Sequence, residues 1–177
     1  EGVMNTANKL TMLRILLIPV FLVVLYLPFT GHMWVALAVF IAASVTDFAD
    51  GYIARHFNQV TDFGKFMDPL ADKILVMAAM IWFVACWRLP VWALVIVVAR
   101  EFAVTALRLI AVEGGRVIAA GWSGKVKTAG TMVCICLMLA FQGFVLDWVC
   151  TAVIVITTVY SGIEYFVKNK DVINWRD

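Results

Sequence analysis

Six long apolar runs follow one another along the chain with only short polar breaks between them. A helix needs about 20 predominantly apolar residues to cross the hydrocarbon of a bilayer, and each run is close to that length. The 177 residues are 64% hydrophobic and 15% charged, whereas a soluble domain is nearer half apolar and a quarter charged. The expected fold class is therefore an all-α integral membrane protein with six transmembrane helices. One domain over residues 4–177 accounts for the whole pattern, with no internal repeat. Glu1, Gly2 and Val3 precede a methionine and are expected to be a remnant outside the natural chain. The first run has the span of a membrane helix rather than of a signal core, so no cleaved signal is expected.

The runs place helix one over about Leu10 to Phe29, with Pro19 inside it, after an interfacial turn from Asn5 to Lys9. Helix two runs from about Met33 to Phe57, followed by a polar connection to Phe66. Asp68-Pro69 reads as an N-cap with proline at the first helical position, starting a helix three that ends near Trp87. A start one turn earlier, with Pro69 inside, is the alternative. Helix four covers Pro90 to Val112, and Glu113-Gly114-Gly115 breaks it. Gly121 to Thr128 reads as a polar approach to helix five, Ala129 to Val145. Helix six covers Trp148 to Phe166.

Basic residues set the orientation. Lys9, Arg14, Arg55, Lys65, Lys73, Arg100, Arg108, Arg116, Lys125, Lys127, Lys168, Lys170 and Arg176 gather at one end of the runs. The connections at the other end hold Arg88 alone. With an even number of spans, the N- and C-termini are both expected to be cytoplasmic, together with the polar segment between helices two and three.

That segment carries the chemistry. Asp47 and Asp50 are i, i+3 and Asp68 and Asp72 are i, i+4, so each pair shares a helix face. A carboxylate at the centre of a membrane helix costs about 3 kcal/mol, so four together require a partner. Two such faces around a hard cation supply the all-oxygen environment that Mg²⁺ or Mn²⁺ prefers. Two divalent ions held close together can polarise a phosphoryl group and stabilise both its attacking and its leaving oxygen. Gly51 and Ala54 let a ligand approach the helix backbone, and Arg55 can contact a diphosphate.

Arg100 lies deep in helix four, where a cation needs a polar cavity or a carboxylate. Arg108 follows two turns later, and Lys125 and Lys127 lie in the next cytoplasmic segment. The four make a candidate anion pocket. Glu101 either pairs with Arg100 or lines the same cavity.

Asp47-x-x-Asp50-Gly51-x-x-Ala54-Arg55, eight residues, Gly64, three residues, Asp68, three residues and Asp72 resembles the signature of the CDP-alcohol phosphotransferase family at every position. The segments Arg100 to Thr105, Gly124 to Thr128 and Ser161 to Phe166 are similar to the bacterial branch that makes phosphatidylglycerophosphate, so the resemblance covers nearly the whole chain. It implies six transmembrane helices, a homodimer in the bacterial cytoplasmic (inner) membrane, and an active site facing the cytoplasm. It further implies two divalent ions on Asp47, Asp50, Asp68 and Asp72, with Asp72 also the catalytic base. Gly51, Ala54, Arg55 and Gly64 would hold the CDP part of CDP-diacylglycerol. Arg100, Arg108, Lys125 and Lys127 would hold the phosphate of glycerol 3-phosphate. Asn8 would contact the nucleotide, although Ala7 replaces the proline that commonly precedes it in the family.

Two other readings stay open on the residues alone: an acceptor such as inositol phosphate, and a divalent-cation transporter. The aspartates lie at one face with only Asp147 toward the other, which weighs against an ion path. Serine has no phosphate for a four-cation pocket. His32 and His56 are too far apart to suggest a joint site. Cys86, Cys134, Cys136 and Cys150 lack zinc-site spacing and read as small apolar fillers. The tryptophans at 34, 87, 92, 122, 148 and 175 fall near helix ends, as in an interfacial belt, and no nucleic-acid partner is expected. Other membrane lipids are the remaining expected partners.

Overall fold

The computed structural model describes residues 6–56, 62–116, 118–119 and 121–172, with side chains described over 10–46 and from 70 onward within those ranges. The described residues form six α-helices and contain no strand. They are α1 (Thr6–Tyr26), α2 (His32–His56), α3 (Asp62–Ala85), α4 (Val91–Glu113), α5 (Trp122–Ala140) and α6 (Phe144–Lys168), followed by a short 3₁₀ turn, Lys170–Val172.

Five boundaries differ from expectation by more than a turn, among them the start of α6, at Phe144 rather than Trp148. Thr6 onward is already helical, where an interfacial turn was expected. α3 starts at Asp62, so Asp68 is not its N-cap and Pro69 is not at its first position. The alternative, an earlier start with Pro69 inside the helix, is the one observed, beginning half a turn earlier still. A proline inside a helix gives up one backbone hydrogen bond, and the helix runs through it here. α5 starts at Trp122 rather than Ala129 and ends at Ala140 rather than Val145. Ser123, Lys125 and Thr128 are polar but not helix-breaking, and the Thr128 hydroxyl donates to the Gly124 carbonyl within the helix at 3.0 Å. Polarity marks where hydrocarbon ends, not where the backbone ladder ends.

The chain divides into two compact units. In the first, residues 1–82 with 139–141, α1 and α2 pack on each other. Phe21 of α1 and Phe40 of α2 are fully buried with ring centroids 5.7 Å apart. The turn between these helices is closed by Gly31 at φ 88° and by a 3.0 Å contact of the His32 ring with the Phe29 carbonyl.

In the second unit, residues 83–138 with 142–177, α4 packs on α6. The α4 seam is Ala93, Val97, Val104, Leu107 and Ala111. The facing stripe of α6 includes Cys150, Thr151, Ile154, Thr158 and Ser161. Spacings of three and four residues build a heptad-like seam, and small side chains let the two backbones approach closely. Thr151 and Ser161 turn their hydroxyls back to the carbonyls of Asp147 and Thr158. Val104, Leu107 and Tyr165 form a small core with Ile118, Phe166 and Val172 packed against it. The Arg116–Asp171 ion pair links the segment after α4 to the 3₁₀ turn. That guanidinium holds the Asp171 carboxyl below its ordinary range.

The other helix faces are apolar and exposed: Leu16 and Val23 on α1, Val95 and Phe102 on α4, Val133 on α5, Ile156 and Ile163 on α6. Among the described residues, α5 and α6 are long and apolar enough to cross a membrane. Trp34, Trp92, Trp122 and Trp148 fall in or near the first turn of their helices, Trp87 follows α3, and all five are exposed.

Candidate active site

Arg100 and Glu101 are carried by α4 and Lys127 by α5, all within the second unit. One carboxylate oxygen of Glu101 accepts from Arg100 Nη1 at 2.9 Å and from Lys127 Nζ at 2.6 Å. The three side chains are mostly buried, with Arg100 and Glu101 each 13% exposed and Lys127 7%. The choice left open for Glu101 is thereby decided: it pairs, and with two cations rather than one. Charge-assisted hydrogen bonds of this kind are short and strong, and they offset the desolvation of burying the charges.

Glycines give Arg100 its room. A Cβ on Gly162 of α6 would stand 3.2 Å from Arg100 Cγ, and one on Gly124 of α5 would lie 3.7 Å from Nη2. The Arg100 stem also lines an apolar groove of about 460 Å³ together with Gly162, Ile163 and Phe166. Arg100 Nε is buried with no hydrogen-bond acceptor among the described residues.

The other two cations of the expected pocket stand apart from this cluster. Arg108 donates from Nε to the Tyr165 hydroxyl at 2.9 Å and lies over that ring at 5.4 Å. Lys125 is exposed on α5. The structure thus joins Arg100 and Lys127 directly and gives Arg108 an aromatic partner that sequence reasoning did not anticipate. Tyr165 lies in one of the segments the motif comparison singled out, but nothing in the sequence links it to a residue 57 positions away.

Asp72 lies on α3, partly buried. Asp47, Asp50, Gly51, Ala54 and Arg55 fall in α2, Gly64 and Asp68 in α3, and Asn8 in α1. The side chains of these eight lie outside the described residues. Among the described residues, no three His, Cys, Asp or Glu side chains gather to hold a metal. Arg14, counted in the sequence only as a cytoplasmic-side charge, is fully buried.

A second polar cluster was not foreseen. Arg88, just after α3, donates from Nε and Nη2 to the two carboxylate oxygens of Asp147 at 3.0 and 2.6 Å. Its Nη1 reaches the Met138 carbonyl in the last turn of α5 at 2.7 Å, and it lies 5.2 Å from the centre of the Phe83 ring. Asp147 is in the first turn of α6. A cation at one helix's C-terminus bound to an anion at the next helix's N-terminus complements both dipoles. The signal was present: Arg88 is the lone base, and Asp147 the lone acid, expected toward that face.

The family profile for CDP-alcohol phosphatidyltransferases matches residues 4–160. A CDP-diacylglycerol–glycerol-3-phosphate 3-phosphatidyltransferase of Bacillus subtilis is 41% identical, the match covering 93% of this chain and 95% of that protein. Proteins of the same name from Shigella flexneri and Salmonella typhimurium are 38% and 37% identical, each match covering 91% of this chain and 92% of the relative. With a profile match over residues 4–160 and relatives matched over nine-tenths of its length, the chain belongs to the CDP-alcohol phosphatidyltransferase family.

Proposed function

We propose that the chain transfers a phosphatidyl group from CDP-diacylglycerol to glycerol 3-phosphate, yielding phosphatidylglycerophosphate and CMP, in the cytoplasmic membrane of a bacterium. The observation that carries this reading is the joining of Arg100 and Lys127 on one mostly buried carboxylate. Two cations held in that setting suit a small dianionic group, which glycerol 3-phosphate has and serine lacks. The names of the relatives specify the same donor and acceptor.

Asp47, Asp50, Asp68 and Asp72 would hold two divalent ions, Mg²⁺ or Mn²⁺. A set of four carboxylates suits a hard cation, and both pairs fall on helical backbone at i, i+3 and i, i+4. Bound there, the ions would supply Lewis-acid stabilisation of charge on the diphosphate. Gly51, Ala54 and Gly64 leave the backbone open to the CDP group, Arg55 binds its diphosphate and Asn8 its nucleotide. Arg100 and Lys127, with Arg108 and Lys125 beyond them, hold the acceptor's phosphate. Asp72 takes the proton from the free primary hydroxyl of glycerol 3-phosphate. The hydroxyl oxygen bonds to the phosphorus that carries diacylglycerol, the bond from that phosphorus to CMP breaks, and CMP leaves with the electron pair.

In this reading all six helices span the membrane as one domain over residues 4–177, both termini and the aspartates face the cytoplasm, and two copies form a homodimer. The apolar exposed faces and the one-sided distribution of Lys and Arg support it. The test is incorporation of labelled glycerol 3-phosphate into lipid by purified protein. Incorporation should require CDP-diacylglycerol and stop when divalent ions are chelated. Label that enters lipid without the CDP-lipid, or does not enter it at all, contradicts the proposal.

A further inference from the structure

We propose that Glu101 is a positioning residue of the acceptor pocket, fixing Arg100 and Lys127 as a pair before the acceptor arrives. This rests on the reading of those cations as the acceptor-phosphate site. Arg100 and Lys127 are long side chains on different helices, and unpaired they would repel each other and sample many rotamers. Ordering them at the moment of binding would cost affinity, whereas holding them beforehand does not. Glu101 holds both with a single oxygen, at 2.9 and 2.6 Å.

The arginine is fixed from the other side as well. Gly162 leaves the Arg100 stem a slot that a methyl group would narrow to 3.2 Å. What remains is a guanidinium whose Nε is buried and has no acceptor among the described residues. Glu101 also has a cost: among the described residues, two cations against one carboxylate leave one net positive charge for the phosphate. If attraction alone mattered, the carboxylate would be a handicap. Its presence says that geometry counts for more.

The two roles separate by mutation. Glu101→Gln keeps an oxygen of the same reach but drops the charge, whereas Glu101→Ala removes both. A positioning role predicts that Glu101→Ala raises KM for glycerol 3-phosphate about tenfold or more, the loss of one charge-assisted hydrogen bond. KM for CDP-diacylglycerol should stay within about twofold, and Glu101→Gln should recover most of the loss. Gly162→Ala, which crowds the stem, should raise the acceptor KM selectively in the same way. If Glu101→Ala does not fold, Glu101→Asp, with its carboxylate one methylene shorter, should show the same direction. An unchanged or lowered acceptor KM in the alanine variant overturns the inference. So does a uniform loss in both KM values and kcat, the mark of a merely structural role. Arg100→Ala separates this from the reading beneath it. If that variant leaves the acceptor KM unchanged, the pocket itself is wrong; if it raises KM and Glu101→Ala does not, the positioning role alone fails.

Discussion

At the scale of single residues, two carboxylates among the described residues keep charge inside this protein by sharing it. Glu101 serves two cations, and Asp147 receives both forks of Arg88 with 12% of its side chain exposed against 13% for the arginine. Removing one partner from such a pair strands the other without water, at a cost of about 3–5 kcal/mol. Arg88→Ala and Asp147→Ala should therefore each lower the unfolding temperature in detergent markedly. Replacing both with leucine or methionine should cost less than either single change, because no charge is then left buried. A double variant that is less stable than both singles would contradict this account. These pairs were half legible. The sequence placed a lone base and a lone acid toward one face, but a lone charge does not announce its partner. The burial of Arg14 was not legible for the same reason: sequence position says near the helix start, whereas burial depends on what packs around it.

Among the helices, α2 and α4 were legible to within a residue, whereas the starts of α1, α3, α5 and α6 were all placed about a turn or more too late. α4 begins after Pro90 and ends with Gly115 at φ 73°, where Gly115 donates to the Val112 carbonyl and Arg116 to that of Ala111. This is a Schellman ending, and glycine fills its left-handed position without strain. Nothing lies within 4 Å of where a Cβ on Gly115 would stand, so the cost of a side chain there is conformational alone. Gly115→Ala should destabilise the protein by about 1 kcal/mol with activity unchanged, measured by thermal unfolding beside turnover. α3 ends in the same motif, with Trp87 at φ 60° and 96% exposed in the glycine position. An exposed indole at a helix end accords with anchoring at the membrane interface, which would offset the backbone strain. The starts of α3 and α5 were placed too late even though Gly64 lies in the first turn of α3 and Gly121 just before α5; only the alternative α3 start, with Pro69 inside the helix, came near. Polar composition was read as loop, and the helix ran through it.

For the whole molecule, the six-helix architecture was written in hydropathy, and the cation side of the site in the depth of Arg100. The link from Arg100 through Glu101 to Lys127 was not, because it depends on which side chains of α4 and α5 the fold brings together. The proposed topology has a native reporter. Cys86 is exposed in the connection between α3 and α4, whereas Cys134 and Cys150 are buried. A membrane-impermeant maleimide should label Cys86 in right-side-out vesicles and not in inside-out ones; the reverse pattern would invert the topology. The central claim concerns the reaction, and CMP release tests it most directly. Purified protein with CDP-diacylglycerol and Mg²⁺ would be given glycerol 3-phosphate, inositol phosphate or serine separately. The account predicts release with glycerol 3-phosphate alone, lowered at least about 10³-fold in Asp72→Asn, which removes both a base and a metal ligand. Release with another acceptor, or undiminished release in Asp72→Asn, would contradict it.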